Sequence, residues 1–418
     1  MGKRTRSEED SLLRRRRRTG TELPPSPETY AAGRLESVHA PLGSEKDMPP
    51  GYFDAVEDTR TFINDVVTEA MAMGASDIHI TSSSGEMIIR ARVDSTMVPF
   101  RAVSGSIATA ILNNFKAVNG LSTSQSYIPQ ETTFYVDVDG ESLGVRVVSF
   151  PRATAGDPAG GGATVLRLPE SGPLRTIDQL GFSEQNKAEF LRTLDAGNQM
   201  ILIAGPMGCG KSTTARAALL HISGPGNSVW SLEDPVERLI PGVTQISVNE
   251  SQGAGFDTLM PHLLRADYDT LFLGEIRDPK TAAAGVRQAK AGRQVITTIH
   301  ANNNVTALLR LIDLAQDSPL SVLDSVRGVV SQRMIARRNP DWTEGDDPAL
   351  RYRGRTPIHE LLTVNDDIVE AVMASVPLHE LKALAAQASV NTFANDLARL
   401  VEAGITDQEE AERVLRAN

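Results

Sequence analysis

One stretch limits the possible folds more than any other. It is GPMGCGKS, residues 205–212, standing between the apolar run MILIA and the helix-forming run STTARAALL. The pattern G-x-x-x-x-G-K-[ST] at a strand-to-helix junction makes a phosphate cradle. Its glycines let backbone N–H groups curl around phosphate oxygens, and the helix N-terminus adds partial positive charge. The cradle is expected to comprise Gly205, Pro206, Met207, Gly208, Cys209, Gly210, Lys211, Ser212 and Thr213, with Lys211 reaching β- and γ-phosphates and the Ser212 hydroxyl ligating Mg²⁺. Cys209, beside the second motif glycine, is expected close to the nucleotide and reactive toward thiol reagents.

Such a cradle belongs at the carboxyl edge of a parallel sheet, where loops after neighbouring strands converge on a ligand. The sequence around it fits. MILIAG, STTARAALLHI, SVWSLED, TLFLGEI, TAAAGVRQAKAG and QVITTIHA alternate apolar strands with helices, as in a parallel sheet covered on both faces. This core is expected over 179–340. From about 305 the chain reads as largely helical, with a C-terminal helical region at 341–418. It closes on GITDQEEAERVL, where Thr406 and Glu409 fit a capping box.

Upstream, residues 55–170 read as a small α+β domain. A first helix puts Phe62, Val66, Val67 and Ala70 on one face. Strands SDIHI and MIIRARVD follow, then a helix ending at Gly120, then a hairpin, TTFYVDVDGESLGVRVVSF, turning at Asp139-Gly140. GDPAGGGA, 156–163, reads as a flexible loop before the strand ATVLRLP, and 171–178 as a hinge linker. Residues 1–54, rich in charge, Pro, Ser and Gly, read as a disordered extension. The fold class is therefore α/β, with a small α+β domain ahead of a phosphate-binding core.

Charge narrows the function. The net charge of −11 argues against general coating of nucleic acid. The first eighteen residues nevertheless carry a local excess of five positive charges, suited to a solvated tail or to anionic lipid. The single cysteine excludes an intrachain disulfide or a cysteine-rich metal site and fits a reducing compartment. No apolar run approaches the roughly 18–20 residues that span a bilayer. The expected location is cytoplasmic, with any membrane attachment peripheral.

Carboxylates crowd two strand ends. SLEDPVE places Glu233, Asp234 and Glu237 after one strand, and TLFLGEIRD places Glu275 after another. A single strand-end carboxylate is ordinarily just solvated. Two such sites around one cradle point to Mg²⁺-nucleotide hydrolysis, with Glu275 in the place of the metal-positioning acid, although the residue before it is Gly274 rather than a second acid.

Taken together, GPMGCGKSTT, SLEDPVE, LGEIRDPKTA and ITTIHANN resemble, in order, the Walker A, Asp box, Walker B and His box of the secretion ATPase superfamily. Its members are hexameric motors of type II secretion, type IV pili and type IV secretion. GASDIHI with IRARVDS, and downstream VVSQRMIARR, GRTPIHELLTVND and DLARLVEAGIT, are similar to further segments of that superfamily, so the resemblance covers 57–418. It implies a PAS-like N-terminal domain ahead of a RecA-like core and its helical C-terminal region.

The resemblance also implies roles. Glu233 would help activate water, with Asp234 and Glu237 shaping the site; Glu275 would position Mg²⁺ and the attacking water; His300 would sense the γ-phosphate. Arg146 and Arg167, at matching strand positions of the small domain, would reach the phosphates and neutralise charge in the transition state. Arg277 would be a structural or interface arginine, and His79 structural. ATP and Mg²⁺ are the implied cofactors, a homohexamer the implied assembly, and a platform protein of the inner membrane the implied partner, with no direct nucleic-acid contact.

Departures mark out the layout. SQRMIARRNPDWTEGDD contains no cysteine, so the four-cysteine zinc module of many relatives is absent, and PQETTFYVDVDG stands where relatives often have PQDG. The N-terminal extension is shorter than a large docking domain. The layout is nearest to compact pilus-retraction motors and conjugation-type or type IVB ATPases. The alternative is a RecA-like DNA translocase or helicase, which needs a basic, aromatic-bearing channel; aromatics are 5% of the chain. A catalytically dead scaffold is disfavoured, because Lys211 and both candidate acids are present.

Overall fold

The computed structural model describes residues 56–416 except 84–85, 94–95, 105, 124–127, 139, 155–156, 170–171, 250–252 and 346–350. The basic extension, the turn residue Asp139 and the first hinge residue, Ser171, lie outside the described residues. Contacts divide the chain into two compact units: 1–140 with 145–171, and 172–418 with 141–144.

In the first unit, α1 (Val56–Ala72) and α2 (Ser106–Val118) accompany a six-stranded sheet of β1 (Ala75–Ser83), β2 (Glu86–Val93), β3 (Thr96–Ser104), β4 (Gln130–Val138), β5 (Glu141–Thr154) and β6 (Asp157–Arg167), in the order β3-β2-β1-β6-β5-β4. The helical period at the start of this unit is realised: Phe62, Val66, Val67 and Ala70 are all fully buried. Strand alternation sends Ile78, Ile80, Ile89, Val145, Val147 and Leu166 to the buried face. One expectation fails here. Residues 157–163 do not form a loop but the first half of β6, paired along Gly161, Gly162 and Ala163 with Ser83, Ser82 and Thr81. Small residues weaken strand propensity, but neighbours on both sides supply the ladder that overrides it.

The second unit is built on a seven-stranded sheet ordered β13-β12-β7-β11-β10-β8-β9. Its strands are β7 (Gln199–Ala204), β8 (Val229–Glu233), β9 (Val243–Ser247), β10 (Thr270–Leu273), β11 (Gln294–Ile299), β12 (Val326–Arg338) and β13 (Tyr352–Thr363). All pairings are parallel except β12 with β13. Burial on both faces can be read strand by strand. Met200, Leu202 and Ala204 of β7 enter one core cluster, while Ile201 and Ile203 enter the cluster on the opposite face. Helices α3 (Glu184–Asp195), α4 (Lys211–Ile222), α5 (Phe256–Leu263), α6 (Pro279–Lys290), α7 (Asn304–Ala315) and α8 (Pro319–Asp324) precede β12. After β13 come α9 (Asp366–Met373), α10 (Leu378–Ala388), α11 (Phe393–Glu402) and α12 (Gln408–Arg416).

Two readings of the C-terminal part are corrected. Among the described residues, six of the eight elements from Asn304 onward are helices, but VRGVVSQRMIARR and YRGRTPIHELLT are not: they are long strands that extend the core sheet. Pro357, which has no N–H to give a ladder, is tolerated because β13 is the edge strand. Nor do Thr406 and Glu409 form a capping box. Asp407 accepts from the Glu410 N–H, the Thr406 hydroxyl donates to Ala336 O, and Glu409 pairs with Arg351.

Candidate nucleotide-binding site

Four motifs meet because four neighbouring strands end together. Ala204 of β7 lies beside Ile299 of β11, Thr297 of β11 beside Leu273 of β10, and Leu273 beside Leu232 of β8. The next residues along these strands open the phosphate loop and supply His300, Glu275 and Glu233. Gly274 ties the two strand ends through its backbone, donating to Leu232 O at 2.9 Å.

The loop leads into α4, whose N-cap, Gly210, is left-handed with φ 89°. Lys211 is buried and its ammonium donates to Gly205 O at 3.0 Å, Pro206 O at 2.9 Å and His300 Nδ1 at 3.2 Å. Desolvation lowers its pKa, and the nearby Cys209 and Glu275 oppose that shift. An ammonium cannot accept, so Nδ1 of His300 does, and the ring proton belongs on Nε2. Nε2 approaches Glu275 Oε1 to 2.8 Å, yet that buried oxygen accepts no aligned hydrogen bond. Arg277 Nε donates to the other carboxylate oxygen at 2.7 Å. Lys211, His300 and Glu275 thus form one continuous polar line across three strands.

Glu233 sits beside that line rather than in it. Its Oε1 accepts from Ser231 Oγ at 2.6 Å and Gln245 Nε2 at 3.0 Å, and burial pushes its pKa up. Asp234 is exposed, and Glu237 pairs with Arg216 of α4, bracing the helix that carries the phosphate loop. Ser212 is exposed in the first turn of α4, and Met207 stands out at the loop tip, 79% exposed. Cys209 differs from expectation. It is buried under the loop against Gly205, and burial raises the pKa of its thiol, so it is shielded from reagents.

Arg146 and Arg167 belong to the first unit, where they are register partners on β5 and β6. Each is held by a carboxylate of its own unit: Arg146 by Glu131, and Arg167 by Asp77 at 3.2 Å.

The residues suit Mg²⁺. Ser212 and Glu275 offer hard oxygen donors, and Glu275 Oε1 is a buried carboxylate oxygen short of a partner. No group of three or more His, Cys, Asp or Glu side chains forms a metal cage among the described residues.

The family model described as type II/IV secretion system protein matches residues 55–413. The chain belongs to this family. Among curated secretion-family relatives, the type II secretion system protein HxcR of Pseudomonas aeruginosa is 31% identical over 367 residues, covering 85% of this chain and 76% of the relative. The type II secretion system ATPase E of Vibrio cholerae is 30% identical, with 85% and 75% covered. The type IV pilus assembly ATPase PilB of Thermus thermophilus is 29% identical, and the match spans 44% of its length. Of solved secretion-family structures, the Legionella pneumophila ATPase DotB superposes with a TM-score of 0.65 at 18% identity, over 91% of this chain and 100% of that one. The pilus retraction motor PilT with bound ADP gives 0.63 at 23% identity, over 84% and 96%. The mixed α/β fold expected from the sequence is therefore shared with the ATPase DotB and the pilus retraction motor PilT.

The motif residues were all legible in the sequence. Gln245, which holds Glu233, was not, because it acts from the neighbouring strand β9 and carries no motif of its own; Ser231 lies inside SLEDPVE, but nothing in that motif marks it as a hydrogen-bond donor to Glu233.

Proposed function

We propose that this chain is a Mg²⁺-dependent ATPase that works as a ring, most simply a homohexamer, and drives a secretion or pilus machine through a platform protein of the inner membrane. The observation that carries this reading is the line from Lys211 through His300 to Glu275 across the strand ends, with Glu233 held buried at its side. ATP phosphates would draw the Lys211 ammonium from the Gly205 and Pro206 carbonyls and from His300. His300 would then report the γ-phosphate to Glu275, which orients the attacking water, while Glu233 Oε2 takes its proton. Ser212 and Glu275 would hold Mg²⁺, which would supply charge neutralisation at the transferring phosphoryl group. Arg146 and Arg167 would complete that neutralisation from the small domain.

Lys211→Ala and Glu275→Gln test this directly. The first should bind no fluorescent ATP analogue. The second should bind it near wild-type affinity but hydrolyse ATP at least about a hundredfold more slowly. Equal hydrolysis by Glu275→Gln and wild type would reject the assigned role. Capture from native membranes by the ATP-trapped Glu275→Gln protein, with and without nuclease, then addresses the partner. A polytopic membrane protein that survives nuclease supports the motor, and only nuclease-sensitive DNA would replace it with a translocase.

A further inference from the structure

The phosphate loop is held from outside its own motif. Gln332, on β12 beside β7, is 2% exposed and uses both ends of its carboxamide. Its Oε1 accepts from the Thr214 hydroxyl at 2.6 Å, in the first turn of α4, and its Nε2 donates to the Cys209 carbonyl inside the loop. Two motif glycines leave room for it. A Cβ on Gly205 would overlap the Gln332 backbone oxygen, and a Cβ on Gly210 would lie 2.7 Å from Gln332 Nε2. A carboxamide is the group that can do this, since one end must accept from a hydroxyl while the other donates to a carbonyl.

We infer that Gln332 is a positioning residue of the phosphate site: it pins the loop carbonyl of Cys209 to the first turn of α4 and so fixes the curl that presents the loop N–H groups to phosphate. This deepens the nucleotide-binding reading and rests on it for its functional consequence, but the pinning itself can be measured without nucleotide. The glutamate analogue would keep an acceptor for Thr214 while setting a carboxylate oxygen against the Cys209 carbonyl. Gln332→Glu should therefore loosen the loop as Gln332→Ala does, despite its nearly equal volume.

The one cysteine of the chain, Cys209, reports on the loop directly, because it is buried beneath it. Maleimide labelling of the full-length protein without nucleotide should be at least about tenfold faster in Gln332→Ala and Gln332→Glu than in wild type, through local opening. Val330→Ala, buried in the core on the same strand, controls for general loosening of β12 and should label near the wild-type rate at a matched fall in melting temperature. In ATP hydrolysis, the Gln332 variants should raise KM about tenfold or more with kcat at saturation changed much less, the signature of lost binding. Labelling of the Gln332 variants at the wild-type or Val330→Ala rate would overturn the inference. Should wild type prove unable to bind ATP, the function proposed above fails, while the labelling comparison still decides the clamp.

Discussion

At the scale of single residues, Glu233 carries a prediction with a definite sign. Both its hydrogen bonds fall on Oε1, leaving Oε2 without one among the described residues. Glu233→Gln can keep its amide oxygen facing Ser231 and Gln245, so folding should survive. Burial raises the carboxyl pKa in the folded state, with Ser231 and Gln245 partly offsetting it. A raised pKa means that the contribution to stability is full below the unfolded value and is lost as pH climbs through the folded one. Glu233→Gln should accordingly gain stability relative to wild type as pH rises above the ordinary glutamate value of about 4.3. Its turnover should fall about 10²- to 10⁴-fold if the carboxylate takes a proton from water. Paired melting curves and hydrolysis assays across this range check both parts; turnover within a few-fold of wild type would leave Glu233 a buried support and nothing more.

At the scale of elements, Asp278 shows how local sequence sets the site. It is the N-cap of α6, three residues after Glu275, and its carboxylate accepts from the Thr281 N–H at 3.0 Å and hydroxyl at 2.8 Å, with Pro279 opening the helix. Asp278→Ala should cost about 1 kcal/mol in a denaturant titration, the usual value of such a cap. A loss near zero would mean that the sheet alone sets where α6 begins. The strand–loop–helix around Lys211 was legible in the sequence, whereas the helix read as TAAAGVRQAKAG in fact opens two residues earlier, at Pro279. β12 was not legible. Val326, Val329, Val330, Gln332, Arg333 and Ile335 are buried on both faces of that strand, so no alternation marks it, and an apolar run without alternation reads equally well as a buried helix. The same misreading hid Gln332 and Arg333. Arg333, its guanidinium donating to Asn302 O at 2.9 Å and Val414 O at 3.2 Å, joins the loop after His300 to α12 through contacts more than thirty residues away in sequence. Cys209 was misjudged for a related reason, since its neighbours in sequence are glycines while its neighbours in space are the underside of the loop.

At the scale of the whole molecule, the proposed ring can be tested by mixing. The chain folds as two units, with Lys211 in one and Arg146 and Arg167 in the other. If the arginines serve a neighbouring subunit, Arg146→Ala and Lys211→Ala proteins should each be inactive alone, because every site lacks one half of its machinery. Mixed in equal amounts, a site becomes complete wherever a subunit with intact Lys211 meets a neighbour with intact Arg146. Random assembly through a head-to-tail interface makes that about a quarter of all sites. Turnover recovered to near that fraction, and lost again on dilution below the assembly concentration, would place the arginines in trans. No recovery in mixtures shown to co-assemble would place them on the same chain as the lysine they serve. Arg146→Lys then separates charge from geometry: a lysine keeps the charge but not the planar fork, so a shortfall in its turnover measures how far phosphate alignment depends on the guanidinium.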